Sequence, residues 1–197
     1  ETMLACRQAY MQNFDKAVME LGPWYTTGAL QAKQFSDPFF PEEKIDLDAK
    51  DEDGKALWEK GEAWEDGNIH GLNGGTNVAT FLYRVINSSK AATAIASLGS
   101  DDGMETWLNG KKILSHDVAR GVVAGQERIE LDLKAGKNEF LMIIYNNNGS
   151  CGFYFFLVQA FPLQPVLFFE ATIHLCFLQL FFLVDLAIYF YLLNNNP

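Results

Sequence analysis

The sequence predicts an all-β fold, an antiparallel β-sandwich or jelly roll, preceded by a short helix and followed by a hydrophobic tail open to a helical reading. Three observations carry that expectation. Apolar and polar residues alternate with a period of two in one short segment after another, as in Met104, Thr106 and Leu108 against Glu105 and Trp107, the spacing of a half-buried strand. Such segments recur at roughly 8 to 12-residue intervals, bounded by Gly, Asn and Asp turns with no helical period between them, which marks a sandwich rather than a parallel sheet. Aromatic residues make up 14% of the 197 positions and 16 are glycine, a composition suited to rings packed on pleated faces and to special backbone angles between strands.

Residues 1–21 place Met11, Phe14, Val18 and Leu21 at helical spacing before the stop signal Gly22-Pro23, so a short amphipathic helix or linker is expected there. Trp24 to Phe40 reads as a strand and an aromatic-rich loop, because Pro38 and Pro41 keep Phe39 and Phe40 out of any helix or central ladder. From Glu42 to Asp66 carboxylates crowd around Leu57, Trp58 and Trp64, which describes a long surface excursion pinned to the core by its indoles. After Gly74-Gly75 come Val78 to Ile86, Ala91 to Leu98 and Met104 to Leu108, with Asn109-Gly110 as a two-residue turn into Lys111 to Leu114. Arg128 to Leu133 alternates Ile129, Leu131 and Leu133 against Glu130, Asp132 and Lys134. Ala135-Gly136-Lys137 then turns the chain into Phe140 to Tyr145, and Asn146 to Gly149 turns it into Phe153 to Val158. The expected module spans residues 22–160.

Residues 161–197 differ in kind. No Lys or Arg follows Lys137, and from Phe140 onward Glu170 and Asp185 are the only formal charges. Val166 to Leu193 is long enough to cross a bilayer, which takes about 20 apolar residues, yet Glu170, His174, Gln179 and Asp185 interrupt it and no basic residue flanks it. A membrane span and a non-native extension after the last strand are both open. The chain opens on Glu1 without a charged-then-apolar leader, and a piece of a longer protein is expected.

The balance of 25 acids against 15 bases gives a net charge of −10. With no basic stripe to displace counterions from phosphates, no nucleic-acid partner is expected. Cys6, Cys151 and Cys176 are odd in number and far apart, so neither a disulfide framework nor a zinc cluster is read from them. His70, His116 and His174 are scattered, and neither Gly-x-Ser-x-Gly nor a phosphate-cradling loop occurs. A non-enzyme is expected, and glycoside chemistry ranks last because two carboxylates need a defined separation across a cleft.

Asp101-Asp102-Gly103 is good turn chemistry and equally a pair of hard oxygen ligands for calcium. Asp46, Asp48, Asp51, Asp53 and Gly54 fail as a helix-loop-helix calcium loop, since that register puts Ala49 first and Lys60 last. Among Trp24, Trp58, Trp64 and Trp107, any of which offers a ring for a sugar face, Trp64 stands beside Glu65, Asp66 and Asn68 and is the first choice. His70 and Asn109 complete the set of ligand contacts. Arg84, mid-strand, is expected to pair with a carboxylate across the sheet, and His116-Asp117, Asn87 and Asn148 read as polar loops and turns.

Landmarks from Pro23 to about Leu157 resemble a module of large multidomain exported bacterial proteins, some of which carry cytochrome-c-like regions. They are GPWY at Gly22 to Tyr25, FFPE at Phe39 to Glu42, IDLDA at Ile45 to Ala49, LYR at Leu82 to Arg84, LGSDDGMETWLNGKKIL at Leu98 to Leu114, and GFYF at Gly152 to Phe155. More distantly, the SDDG-to-WLNGK hairpin resembles the protective-antigen-type lectin domain and galactose-binding-like jelly rolls. The resemblance implies a non-catalytic, exported β-sandwich that binds a glycan or docks neighbouring domains, or that serves as a structural spacer without ligand. It further implies calcium held at Asp101 and Asp102, coordinating sugar hydroxyls.

Overall fold

The period-two segments pair, every one antiparallel, into two sheets that face each other across a common core. The computed structural model describes residues 17–37, 44–61 and 64–159, all within the compact unit Glu1–Ala160. In chain order the strands are β1 Met19–Leu21, β2 Tyr25–Gln31, β3 Glu59–Lys60, β4 Ile69–Leu72, β5 Val78–Ser88, β6 Ala92–Asp101, β7 Gly103–Leu108, β8 Lys111–His116, β9 Glu127–Leu133, β10 Gly136–Asn146 and β11 Cys151–Gln159. One sheet runs β3-β2-β5-β10-β7-β8, with β1 extending β2 along the same edge of β5, and the other runs β4-β11-β6-β9.

Alternation decides which side chains meet. From β6, Ala94, Ala96 and Leu98 point inward with Leu131 of β9 and Phe153 and Phe155 of β11, against Leu82, Ile86, Met104, Phe140, Met142 and Ile144 of the larger sheet. Trp24 stands at the centre of this layer, edge-on to Phe153 and Phe155 with ring centroids 5.7 and 5.2 Å away. The other face of the larger sheet is equally apolar: Ala79, Phe81, Tyr83, Leu141, Ile143 and Tyr145 lie under Phe35, Ile45, Leu47, Leu57 and Trp58 of the excursion between β2 and β3. Strands β5 and β10 are thus buried on both faces. Trp58 pins the excursion as its composition implies, and both Trp107 and Leu108 find cover because both faces of their sheet are covered.

Two charged side chains are built into these layers. Glu105, 2% exposed, accepts at Oε1 from Lys112 Nζ (2.7 Å), Ser36 Oγ (2.8 Å) and Ser115 Oγ (2.8 Å). Arg84 lies between the sheets, its Cζ 4.5 Å from the Trp24 ring centroid. Its Nη1 donates to both oxygens of Asp66, at 2.7 and 2.9 Å, and its Nη2 donates to the Gly22 carbonyl at 2.7 Å. The partner is a loop carboxylate ahead of β4, not one on a neighbouring strand. Burial draws the guanidinium below its ordinary value, and the Asp66 charge opposes that.

A second expectation is corrected. Met19–Leu21 is not the end of a helix but a strand, registered Met19 to Ser88 and Leu21 to Ile86; Val18, which a helical face would bury, is 63% exposed. The edge of β5 beyond the reach of β2 needs a backbone partner, and these residues supply it. The rest of the lead segment, the Phe39-Phe40 loop tip and the tail with its membrane-span reading lie outside the described residues. Removing the Asp66 carboxylate leaves a buried cation on aromatic rings without its counter-ion. Asp66→Ala is therefore expected to lower the unfolding free energy by about 3 kcal/mol in a denaturant titration.

Candidate functional site

Strand β6 belongs to the smaller sheet and β7 to the larger one, so the chain passes between sheets through a single residue, Asp102. The peptide bond between Asp101 and Asp102 is cis. The Asp102 N–H donates to the Tyr145 carbonyl on β10 (2.9 Å). Its carboxylate accepts from two backbone amides: Arg120 N on Oδ1 (2.9 Å), in the β8–β9 loop, and Asn147 N on Oδ2 (3.0 Å), in the β10–β11 loop. Asp101 Oδ2 accepts from Ser150 Oγ (3.0 Å) in that second loop. The acidic corner thereby fixes two loops at one end of the sandwich.

The β8–β9 loop is also held from outside. Arg120 Nη2 donates to Ser100 Oγ (2.9 Å) and Nη1 to Glu127 Oε1 (2.7 Å), the oxygen that also meets His116 Nδ1 at 2.7 Å. The loop lies across the outer face of β6, where a Cβ on Gly99 would fall on the Val123 carbonyl oxygen. Burial works against ionising Glu127, but the hydrogen bonds and charges of Arg120 and His116 outweigh it and hold the carboxyl below its usual range. Burial, with the Asp101 charge adding to it, pushes the Cys151 thiol up to about 12, which keeps it protonated at neutral pH.

Beside this corner is a shallow hollow lined by Gln34, Phe35, Asn77, Asp117, Tyr145, Asn146 and Asn147, among others. The Phe35 and Tyr145 rings, 4.7 Å apart, give it an aromatic side. Asn146 is 1% exposed. Its Nδ2 donates to the Gly75 and Gly149 carbonyls, at 2.8 and 3.3 Å, while its Oδ1 is buried with no hydrogen-bond partner. An unpaired buried acceptor costs about 1–3 kcal/mol, which a hydrogen-bond donor reaching it would recover. Among the described residues no three His, Cys, Asp or Glu side chains gather as a metal-holding group. The Asp101 and Asp102 carboxylates are oxygen donors of the kind calcium takes, and Asp102 Oδ1 and Oδ2 and Asp101 Oδ2 accept from Arg120, Asn147 and Ser150.

The residues singled out by sequence do not share one site. Asn109 (φ +51°) and Gly110 (φ +78°) form the β7–β8 turn, and the Asn109 side chain is spent on Asn138 Oδ1 and the Glu139 amide. That turn lies at the other end of six-residue β7 from Asp102, on the order of 20 Å away. Trp64 and His70 are half-buried against Phe153, with ring centroids 5.1 and 5.4 Å from it, and His70 Nε2 donates to the Glu65 carbonyl at 2.8 Å. They close the edge of the sandwich, and β11 separates them from Asp101, since Gly71 pairs with Gly152 and Gly152 with Asp101. Gln34, Phe35, Asn77, Asn146 and Asn147 were not picked out, and Asp117 entered only as a polar loop residue. The one available signal was the amide run Asn146-Asn147-Asn148 directly after a buried strand, which turn chemistry alone does not require.

The class defined by this arrangement is an antiparallel two-sheet β-sandwich with loops gathered at an acidic corner. No protein-family model matches the chain, and neither does any curated protein. Among solved structures it is similar to the PA14 domain of the MpAFP antifreeze protein, at 19% identity over 45% of this chain and 47% of that one with a TM-score of 0.38. It is also similar to a PA14 sugar-binding domain from an RTX adhesin (17% identity, 41% of this chain and 46% of that one, TM-score 0.34). A third is CBM35 from Paenibacillus barcinonensis (13%, 73% of this chain and 99% of that one, TM-score 0.38). The chain spans less than half the length of the first two.

Two outcomes test the corner. Asp102→Ala leaves two backbone amides without their acceptor and is expected to cost about 1–3 kcal/mol, with faster hydrogen exchange at Arg120 and Asn147 than elsewhere in the sheets. Because the folded Glu127 carboxyl sits below its unfolded value, its stabilisation is present above that value, near 4.5, and is lost as pH falls through the folded one. Glu127→Gln is accordingly expected to flatten the acid limb of a stability-against-pH curve, measured by thermal unfolding between about pH 3 and 7.

Proposed function

We propose that this chain is a non-catalytic glycan-binding module, with its site in the loop hollow beside Asp101 and Asp102. The orphaned Asn146 Oδ1 carries the reading. A sugar hydroxyl both donates and accepts; it can donate to this atom while accepting from the amides of Gln34, Asn77 and Asn147 around it, and the Phe35 and Tyr145 rings suit the apolar C–H face of a pyranose. Asp101 and Asp102 would hold calcium, which when bound supplies coordination to vicinal hydroxyls. Both Asp102 oxygens accept from backbone amides, so this carboxylate is engaged in holding the two loops. That leaves Asp117 as the lining carboxylate, where two-carboxylate glycoside hydrolysis needs a pair. The setting that accompanies this reading is an exported protein, in which the module presents a glycan to neighbouring domains.

Titration calorimetry with calcium, followed by a glycan screen with and without the ion, tests it. Calcium is expected at a dissociation constant on the order of 10⁻⁴ to 10⁻³ M, as in extracellular modules, and Asp101→Asn is expected to weaken it. Asp117→Asn should weaken glycan binding about 10-fold or more with an unchanged thermal midpoint, and Phe35→Ala should weaken it too while lowering the midpoint, because Phe35 also packs on the larger sheet. No glycan bound under either condition would leave a structural spacer.

A further inference from the structure

The large exposed hydrophobic side chains among the described residues are Val18, Ile69, Val123, Phe156 and Val158, and four of these five lie on or beside one surface, the outer face of the smaller sheet. Register places them in rows. Ile69 of β4 pairs with Tyr154 of β11, Phe156 pairs with Ser97 of β6, and Val158 pairs with Ile95. Phe155, Leu98 and Ala96 on the same strands point into the core, so these partners point out. The corresponding outer face of the larger sheet is covered by the excursion before β3. On the smaller sheet, among the described residues, the β8–β9 loop reaches the Gly99 and Gly152 end through Val122 and Val123, and Gly67 of the loop before β4 lies beside the Phe156 ring.

We propose that this face is a self-association surface that seats a second copy of the chain. The charges along its β9 rim argue for this occupant. Arg128 pairs with Ser97 in the row of Phe156, and Glu130 pairs with Ile95 in the row of Val158. Both rim residues are exposed and outward, since Ile129 and Leu131 between and beside them pack inward. A two-fold axis between the rows reverses strand direction. It sets Phe156 of one copy over Val158 and Ile95 of the other, and Arg128 over Glu130 of the other, twice. A surface that carries a basic residue at one end and an acidic residue at the other in this way is complementary to itself, which a closed isologous contact requires. Aligned packing of two sheet faces about 10 Å apart gives the geometry. Four strands by six or seven residues offer roughly 20 Å by 20 Å, on the order of 400 Å² per copy against about 800 Å² in a standard stable interface. The dimer is therefore weak and concentration-dependent.

Sedimentation velocity of the full chain over a concentration series tests the proposal. A reversible monomer–dimer equilibrium is expected, with Phe156→Glu raising its dissociation constant about 30-fold or more. Arg128→Glu is expected to weaken it and Glu130→Arg in the same chain to restore it, because the reversed pair again faces itself across the axis. A monomer at every concentration, whatever else covers the face, overturns the proposal. So does an oligomer indifferent to all three variants, which places self-association elsewhere in the chain. The loop hollow lies at the end of the sandwich, so loss of glycan binding leaves this equilibrium unchanged.

Discussion

The burial of β5 and β10 on both faces is the constraint on which the rest of this structure depends. These two strands share the longest ladder, eleven paired positions from Gly136 with Ser88 to Asn146 with Val78. Their side chains are apolar in both directions, so one layer of cover is not enough. The smaller sheet covers one face and the excursion between β2 and β3 covers the other. That double demand explains why an acidic, turn-rich segment stays on the protein: its Asp46 and Asp51 side chains accept backbone amides locally, while Ile45, Leu47, Leu57 and Trp58 reach down to the sheet. The acids solvate the outside and the indole anchors the inside.

Two sheets sharing one chain must be joined, and the joints determine where chemistry can gather. At Asp102 the chain changes sheets in one residue, too short a span for the backbone to supply its own turn bonds. The side chain supplies acceptors instead, and in doing so draws in the β8–β9 and β10–β11 loops. Because β5 enters its ladder at the same end, the residues before it come along: Asn77 N donates to the Asn147 carbonyl at 3.1 Å, and Ala32 N to the Asn77 carbonyl at 2.7 Å. The hollow is the space left among these loops.

Much of the architecture could be read from the sequence because it obeys local rules. β9 alternates, Asn109-Gly110 has the positive φ its hairpin needs, and β5, β10 and β11 read as apolar runs. What failed did so for identifiable reasons. Val18 and Leu21 sit three apart, which suits a helix, but the free edge of β5 recruits Met19–Leu21 as a strand and leaves Val18 outside. β4 is four residues long and contains a histidine and a glycine, so no periodicity could announce it; it exists because the edge of β11 needs a partner. The site was half legible. Asp101 and Asp102 stand out as adjacent acids at a turn, whereas Gln34, Phe35, Asn77, Asp117 and Asn146 come from segments that only the strand order brings together.

The two ends of β7 differ in how their side-chain amides are paired, which is why the proposed site is the hollow and not the other conspicuous turn. At the Asn109 end the amides of the turn have protein partners: Asn109 Nδ2 and Oδ1 are both used, and Asn138 Nδ2 donates to the Lys134 and Gly136 carbonyls while its Oδ1 accepts. A sugar arriving there would have to compete with bonds already made, and exchange of one bond for another yields little net free energy. At the Asp102 end the backbone amides are satisfied too, but the Asn146 amide oxygen is not, although it is buried in a wall rigid enough to keep it so. The folded chain bears that cost on its own when nothing is bound. A ligand that pairs the atom would recover it without having to order the loops first, because Asp102 already holds them, and such preorganisation favours binding at the proposed site.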